Sequence, residues 1–297
     1  MNCLLTAVLL LQGSSSIAGH TKEVSCIATS PKALIAASGS ADLTVRLWDI
    51  QANKSIGVLE GHSGEVHSIA FSPDGKLLAS GERYNKVKIW DVASQKELQT
   101  LSDSEGAILG LTFSTDGKRL FGACKDRAVR VWTVGSNSEA KKLPHNYMVN
   151  GVAITPDGKF VVSADDGGNI NFWDTSTLKQ TRTLSHGSAA RCLAISSDGK
   201  SLATGSLGAV KLWDVATGSE KGNLNCDANA LCFTPDGSKL FVGTQDSLVI
   251  AVSTADMGQL WKQEKHQRPV TGLAVSPDGK TLFSSSLDYT IRVWPLK

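Results

Sequence analysis

The chain has 297 residues, 41% of them hydrophobic and 20% charged, an ordinary globular composition that excludes a disordered chain. Thirty Lys and Arg stand against 28 Asp and Glu for a net charge of +2, so no nucleic-acid partner is expected and a membrane-surface role lacks support. The six cysteines, at positions 3, 26, 124, 192, 226 and 232, have neither a CxxC pair nor the tight spacing of a disulfide framework or zinc site.

The chain opens with an apolar segment, residues 1–13. Cys3 to Leu11 is apolar apart from Thr6 and is followed by Ser14, Ser15, Ser16 and Ala18. That pattern resembles a secretory signal peptide, although no Lys or Arg precedes it. The rival reading is an extension of the first strand, so the compartment stays open between cytoplasm and export. The run is too short to span a bilayer as a helix, and no other apolar run is long enough.

From residue 14 onward the chain repeats itself. Tryptophans at 48, 90, 132, 173, 213 and 294, with Val252 in the one missing slot, are separated by 42, 42, 41, 40, 39 and 42 residues. A period in this range overrides a length-based estimate of two domains. Trp261 lies outside the register.

Each unit has one grammar, clearest between Leu59 and Leu101. Val66, Ile69 and Phe71 lie in a β-rich run ending at Ser72-Pro73-Asp74-Gly75, where Pro presets φ and Gly accepts a positive φ. Lys76 to Ser80 predicts a second strand, Val87 to Trp90 a third after a polar turn, and Leu98 to Leu101 a fourth. The turn returns at Ser114-Thr115-Asp116-Gly117, Thr155-Pro156-Asp157-Gly158, Ser196-Ser197-Asp198-Gly199, Thr234-Pro235-Asp236-Gly237 and Ser276-Pro277-Asp278-Gly279. The first unit departs from it with Ser30-Pro31-Lys32-Ala33. No 3.6-residue periodicity is sustained, so the chain reads as all β. Cys26 and Cys192 hold the place of Ser68, Gly110, Gly151 and Gly272, which predicts small buried residues.

Seven units of four strands suit small sheets arranged radially, because one such sheet cannot bury both faces alone. Gly19-His20, Gly61-His62, the Asp-Gly turns, and Trp48-Asp49, Trp90-Asp91, Trp173-Asp174 and Trp213-Asp214 together resemble the WD-repeat β-propellers over residues 14–297. The resemblance implies one seven-bladed propeller of four-stranded antiparallel blades. Its last blade would be completed by pairing the N-terminal strand, around Ser14 to Ala18, with the third strand that ends near Trp294. A cut after Ala18 would remove that strand, whereas one near Gly13 would spare it. A monomeric ring is expected.

The resemblance also assigns a structural hydrogen-bond network to His20, Ser38, Asp42 and Trp48, and again to His266, Ser284, Asp288 and Trp294. An enzyme needs one such constellation, whereas these recur around a ring, and an unpaired buried polar group is costly. The second unit has His62, Ser80 and Trp90 with Tyr84 in the acid slot. The fourth has His145, Ser163 and Trp173 with Gly167 there and Asp166 one position early. The fifth has His186, Thr204 and Trp213 with one residue deleted from the turn. The third keeps Asp126 and Trp132 with Ser104 and Gly122 in the other slots, and the sixth keeps only Asp246, so these two blades should lean on apolar packing.

No nucleophile elbow, phosphate-binding loop, HExxH or strand-linked GxGxxG occurs, so no catalytic residue, cofactor or metal is assigned. The reading is a non-enzymatic scaffold for a protein or peptide partner. In the family the binding face is built from the loop before each first strand and the turn before each Trp strand. Transferred residue by residue, this selects Glu23, Glu65, Arg83, Tyr84, Lys125, Arg127, Tyr147, Met148, Gln245 and Arg268. Arg and Tyr are typical anchors at interfaces. The alternative, a small ligand or reaction at the central channel, meets first strands read as mostly Ile, Val, Ala, Leu, Cys and Gly.

Overall fold

A computed structural model describes residues 14–136 and 138–296. The apolar segment at residues 1–13, with its reading as a leader, lies outside the described residues. Seven four-stranded antiparallel sheets form the blades of a closed propeller. Blade 1 is Val24–Thr29, Ile35–Ser40, Val45–Asp49 and Lys54–Leu59, numbered here from the channel outward. Blades 2 to 6 follow in the same order. Blade 7 contributes Val270–Val275, Thr281–Ser286 and Ile291–Pro295, and its outer strand is Ser15–Ile17. Ser15, Ser16 and Ile17 pair with Val293, Arg292 and Ile291, which closes the ring as the resemblance implied.

The turns form for local reasons. In blade 2, Gly75 takes φ of 72°, the Ser72 hydroxyl donates to Asp74 at 2.6 Å, and Asp74 accepts the Lys76 N–H at 3.1 Å. Blade 1 lacks the Asp, yet the Ser30 oxygen still accepts the N–H groups of Lys32 and Ala33. The aspartate of each Trp-Asp pair works the same way. Asp174 accepts from the backbone and hydroxyls of Ser176 and Thr177, and these bonds hold its carboxyl down at about 2.

Seven buried apolar clusters lie between neighbouring blades, one per pair. Blades approach closely because the second strand carries a small residue where the next blade's first strand packs. A Cβ built on Gly39 would lie 2.5 Å from Val66, and one on Gly81 2.5 Å from Ile108. The cluster joining blades 7 and 1 contains Ile17, Val24, Trp48, Phe283, Ile291 and Val293, so the closing strand belongs to a core as well as to a sheet.

A backbone irregularity adds polar side chains at one mouth of the channel, whereas the first strands remain apolar further along. In six blades the first strand is bulged against the second, as between Val24 and Cys26 or Val149 and Gly151. The extra residue breaks the two-residue alternation. Ser25, His67, Asn150, Asn229 and Thr271 therefore line one mouth of the channel beside Arg191, and this mouth is polar. Cys26 and Cys192 also line it and are only half-buried, although burial of their sulfurs pushes both thiols up to about 12. Among the described residues no helix is long and apolar enough to cross a membrane.

The closure makes a direct prediction. Ile17→Ala, at a side chain only 7% exposed, should cost about 2–4 kcal/mol, measured as a lower urea midpoint. Ser16→Ala on the exposed side of the same strand should stay within about 0.5 kcal/mol.

Candidate interaction face

The loops entering each blade and the hairpins between second and third strands share one face of the ring, and buried polar chains hold them there. In blade 1, Trp48 Nε1–H donates to Ser38 Oγ at 2.8 Å, Ser38 meets His20 Nε2 at 2.7 Å, and His20 Nδ1 meets Asp42 at 2.8 Å. Blade 7 repeats this with Trp294, Ser284, His266 and Asp288 at 2.8, 2.7 and 2.8 Å. One proton arrangement satisfies every link: the imidazole is neutral, donates from Nδ1 and accepts the serine proton at Nε2. The aspartates also cap the entering loop through the N–H groups of Thr21 and Gln267.

Burial lowers the pKa of His20 and His266 against the opposing pull of their aspartates. Burial would raise Asp42, but hydrogen bonds from Thr44, Thr21 and His20 outweigh it and leave its carboxyl at about 2.

The other blades end this chain differently. In blade 2 the acid slot is not filled by Tyr84. Glu82, at the end of the second strand, reaches back to His62 Nδ1 at 2.8 Å and also accepts from Ser63 and Gly64. In blade 4 the residue in the same place, Asp165, has the shorter arm and caps Gly167 and Asn169, so His145 Nδ1 turns to the Leu143 carbonyl at 3.0 Å. In blade 5, His186 meets Thr204 through Nδ1 at 2.8 Å, and its Nε2 is buried without a partner. Blade 3, expected to lean on apolar packing, instead recruits Asp103, which accepts the Trp132 indole at 2.6 Å, while buried Arg130 pairs with Asp126. Gly122 leaves room for the indole, since a Cβ there would lie 2.6 Å from it. Blade 6 replaces the network with apolar packing, as expected: Trp261, from the outer strand, sits 5.7 Å from Phe241 and 6.4 Å from Trp294. Asp246 is exposed.

The ten residues selected for binding all fall on the face these networks hold, but their charges are partly spent. Arg83 pairs with Glu65 at 3.3 Å, and Arg268 pairs with Glu23 at 3.1 Å across the seam between blades 7 and 1. Gln245 accepts from Asn229 at 3.0 Å. Lys125 and Arg127, in the blade 3 hairpin, make no ion pair among the described residues. Tyr84 and Tyr147, 59% and 50% exposed, are seated against glycine: a Cβ on Gly64 or Gly167 would lie 2.6 or 2.3 Å from the ring. Met148 is exposed beside Tyr147.

The sequence reading missed Leu43, Leu207 and Tyr289, exposed in the hairpins of blades 1, 5 and 7. The available signal was an apolar residue inside an otherwise polar turn, as in Asp42-Leu43-Thr44 and Asp288-Tyr289-Thr290. All three tyrosines of the chain therefore stand on one face. The remaining exposed large hydrophobics, Ile56, Val58, Leu98 and Leu260, lie on outer strands. Among the described residues none lies in the turns of the opposite face.

A ring of seven such blades with polar chains under its loops defines a WD-repeat propeller. The chain belongs to the WD domain, G-beta repeat family, which it matches over residues 12–49, 53–91, 95–133, 138–174, 178–214 and 258–295. The gap between the last two segments contains the first three strands of blade 6, the blade without a tryptophan in register. Relatives include the WD repeat-containing protein SL1-17 of Schistosoma mansoni, 34% identical over 100 residues, which are 32% of this chain and 33% of that one. The serine-threonine kinase receptor-associated protein of Dictyostelium discoideum is 35% identical over 72 residues, 24% of this chain and 25% of its own. U3 small nucleolar RNA-associated protein 12 of Saccharomyces cerevisiae is 29% identical over 98 residues, 32% of this chain and 10% of its own. The matches span a third or less of these relatives.

Two measurements test the networks. Glu82→Ala should cost about 1–3 kcal/mol by leaving the buried imidazole unpaired, whereas Tyr84→Ala should stay within about 0.5 kcal/mol. The buried histidines titrate below their ordinary 6.5. The unfolded chain thus binds protons first, and stability present at pH 8 falls as pH drops through 6.5, then again between about 4 and 2 as Asp42 protonates. Urea midpoints at pH 8, 5.5 and 3 should decrease in that order.

Proposed function

We propose that this propeller is a non-enzymatic scaffold whose loop face binds a protein or peptide partner. WD-repeat propellers generally serve as such scaffolds. The observation that carries the reading for this chain is the one-sided placement of Tyr84, Tyr147, Tyr289, Met148, Leu43 and Leu207. Tyrosine brings a large, rigid contact area at low entropic cost, which suits an anchor in a water-excluding contact.

Blades 2 to 4 form the strongest sector. Lys125 and Arg127 stand between Tyr84 and the pair Tyr147 and Met148, so a segment with an acidic group flanked by apolar side chains complements it. The ion pairs at Arg83 and Arg268 soften the cationic character of the face, and the net charge of +2 supplies no broad field. Both observations favour a protein over a nucleic acid, although one relative's name records an association with RNA.

Affinity capture from the native source with the wild type and with the triple variant Tyr84→Ala, Lys125→Glu, Tyr147→Ala tests the face. All three positions are on surface loops, so the variant should melt within a few degrees of the wild type. It should lose the wild type's specific partners, and a folded variant that recovers the same set overturns the assignment.

A further inference from the structure

The first strands begin at the loop face, and six of them carry a bulge near that end. The bulged residue of each lines the channel, and Arg191 holds the same place in blade 5. One residue from every blade thus encircles the mouth at the centre of the loop face.

Four of the seven have no donor left to give. Asn150 donates to Asp166 at 2.6 Å and to the Ala190 carbonyl at 3.0 Å, and Asn229 to Gln245 at 3.0 Å and the Val270 carbonyl at 3.3 Å. Thr271 donates to the Val24 carbonyl at 2.5 Å, and Leu109 is apolar. The other three, Ser25, His67 and Arg191, make no side-chain hydrogen bond among the described residues. Their places in the ring set them against one another. The first strands touch in chain order and the last meets the first, so blade 5 stands directly across from the seam between blades 1 and 2. Arg191 therefore faces Ser25 and His67 across a cavity that all three line.

Size and charge narrow the occupant. The cavity holds about 220 Å³, below the roughly 300 Å³ at which sites for whole drug-sized ligands begin, so it has room for one side chain. No Asp or Glu lines it, and Arg191 is its one permanent cation. Two acids near its rim are already engaged: Asp166 accepts from Asn150, and Glu65, 3.9 Å from His67, pairs with Arg83 at 3.3 Å. Burial lowers the pKa of His67, and Lys125 and Arg83 add to this against the pull of Glu65, which leaves a neutral imidazole with one N–H to donate. A guanidinium offers parallel donors that match a carboxylate, and its single charge balances one negative charge. A phosphoryl group carries close to two and would keep one uncompensated. We propose that the channel mouth anchors a carboxylate of the bound partner, with Arg191 donating from one wall and His67 and Ser25 from the other. This deepens the loop-face reading and rests on it.

The test is affinity selection on the full chain from a soluble library of random synthetic peptides, read by mass spectrometry, followed by fluorescence anisotropy on the enriched peptides. Arg191→Gln is the central variant, at an exposed side chain, and its melting should match the wild type. Lys200→Gln, at an exposed cation on the opposite face, controls for the loss of one charge. The expected result is a consensus Asp or Glu, with binding at least about tenfold weaker on Arg191→Gln and unchanged on Lys200→Gln. Changing that acid to its amide should cost the wild type a similar factor and cost Arg191→Gln little more, a coupling that a merely structural effect does not produce. If amidating the peptide's carboxyl end causes the loss instead, the anchored carboxylate is the chain terminus and the proposal stands. Peptides weakened by the loop-face triple variant but not by Arg191→Gln overturn the anchor and leave the loop face standing. Peptides that bind every variant as well as the wild type, or a selection that enriches none, overturn both.

Discussion

Everything in this molecule depends on burying both faces of a small sheet. A four-stranded blade presents apolar side chains on two sides, and only a neighbour on each side covers them. The final seam, between blades 7 and 1, completes that requirement, and a three-residue strand finishes blade 7 beside it. Ser15 to Ile17 add the last ladder while Ile17 enters the core shared with Val24 and Trp48. Without that strand, blade 7 would expose the edge of Ile291–Pro295 and the core it shares with blade 1 would lose Ile17.

The polar chains do a second job on this scaffold. A loop crossing a propeller rim has backbone groups to satisfy and few neighbours to pack against. The route from Trp48 through Ser38 and His20 to Asp42 ties the entering loop to the adjacent hairpin and satisfies the donors at both ends. In blades 1, 2, 4 and 7 the imidazole Nδ1 finds a terminal acceptor, and several geometries supply it, whereas His186 of blade 5 has none. Glu82 does so from a strand end with a long arm, and the Leu143 carbonyl does so from the backbone.

The ring was legible because its causes are local and repeated. Tryptophan spacing and the Asp-Gly turns mark out seven units, and the resemblance to WD-repeat propellers implies the ring and its closing strand. What stayed hidden depends on contacts or register outside one unit's motif. Glu82 lies outside the slot where an acid was sought. The bulge that turns His67, Asn150 and Thr271 toward the channel defeats a period-two reading by adding one residue. The partner of Arg268 is Glu23, 245 positions away in sequence, so its charge looked available when it is not.

Leu43 and Tyr289 occupy the left-handed backbone region, at φ of 71° and 72°, in hairpins where blade 2 uses Asn85 at 75°. Bulky side chains are uncommon there, and asparagine or glycine adopts that geometry more cheaply. The rim is thus held slightly uphill of what foldability alone would choose. An oily or aromatic tip is displayed toward solvent there against the conformational preference of the chain beneath it.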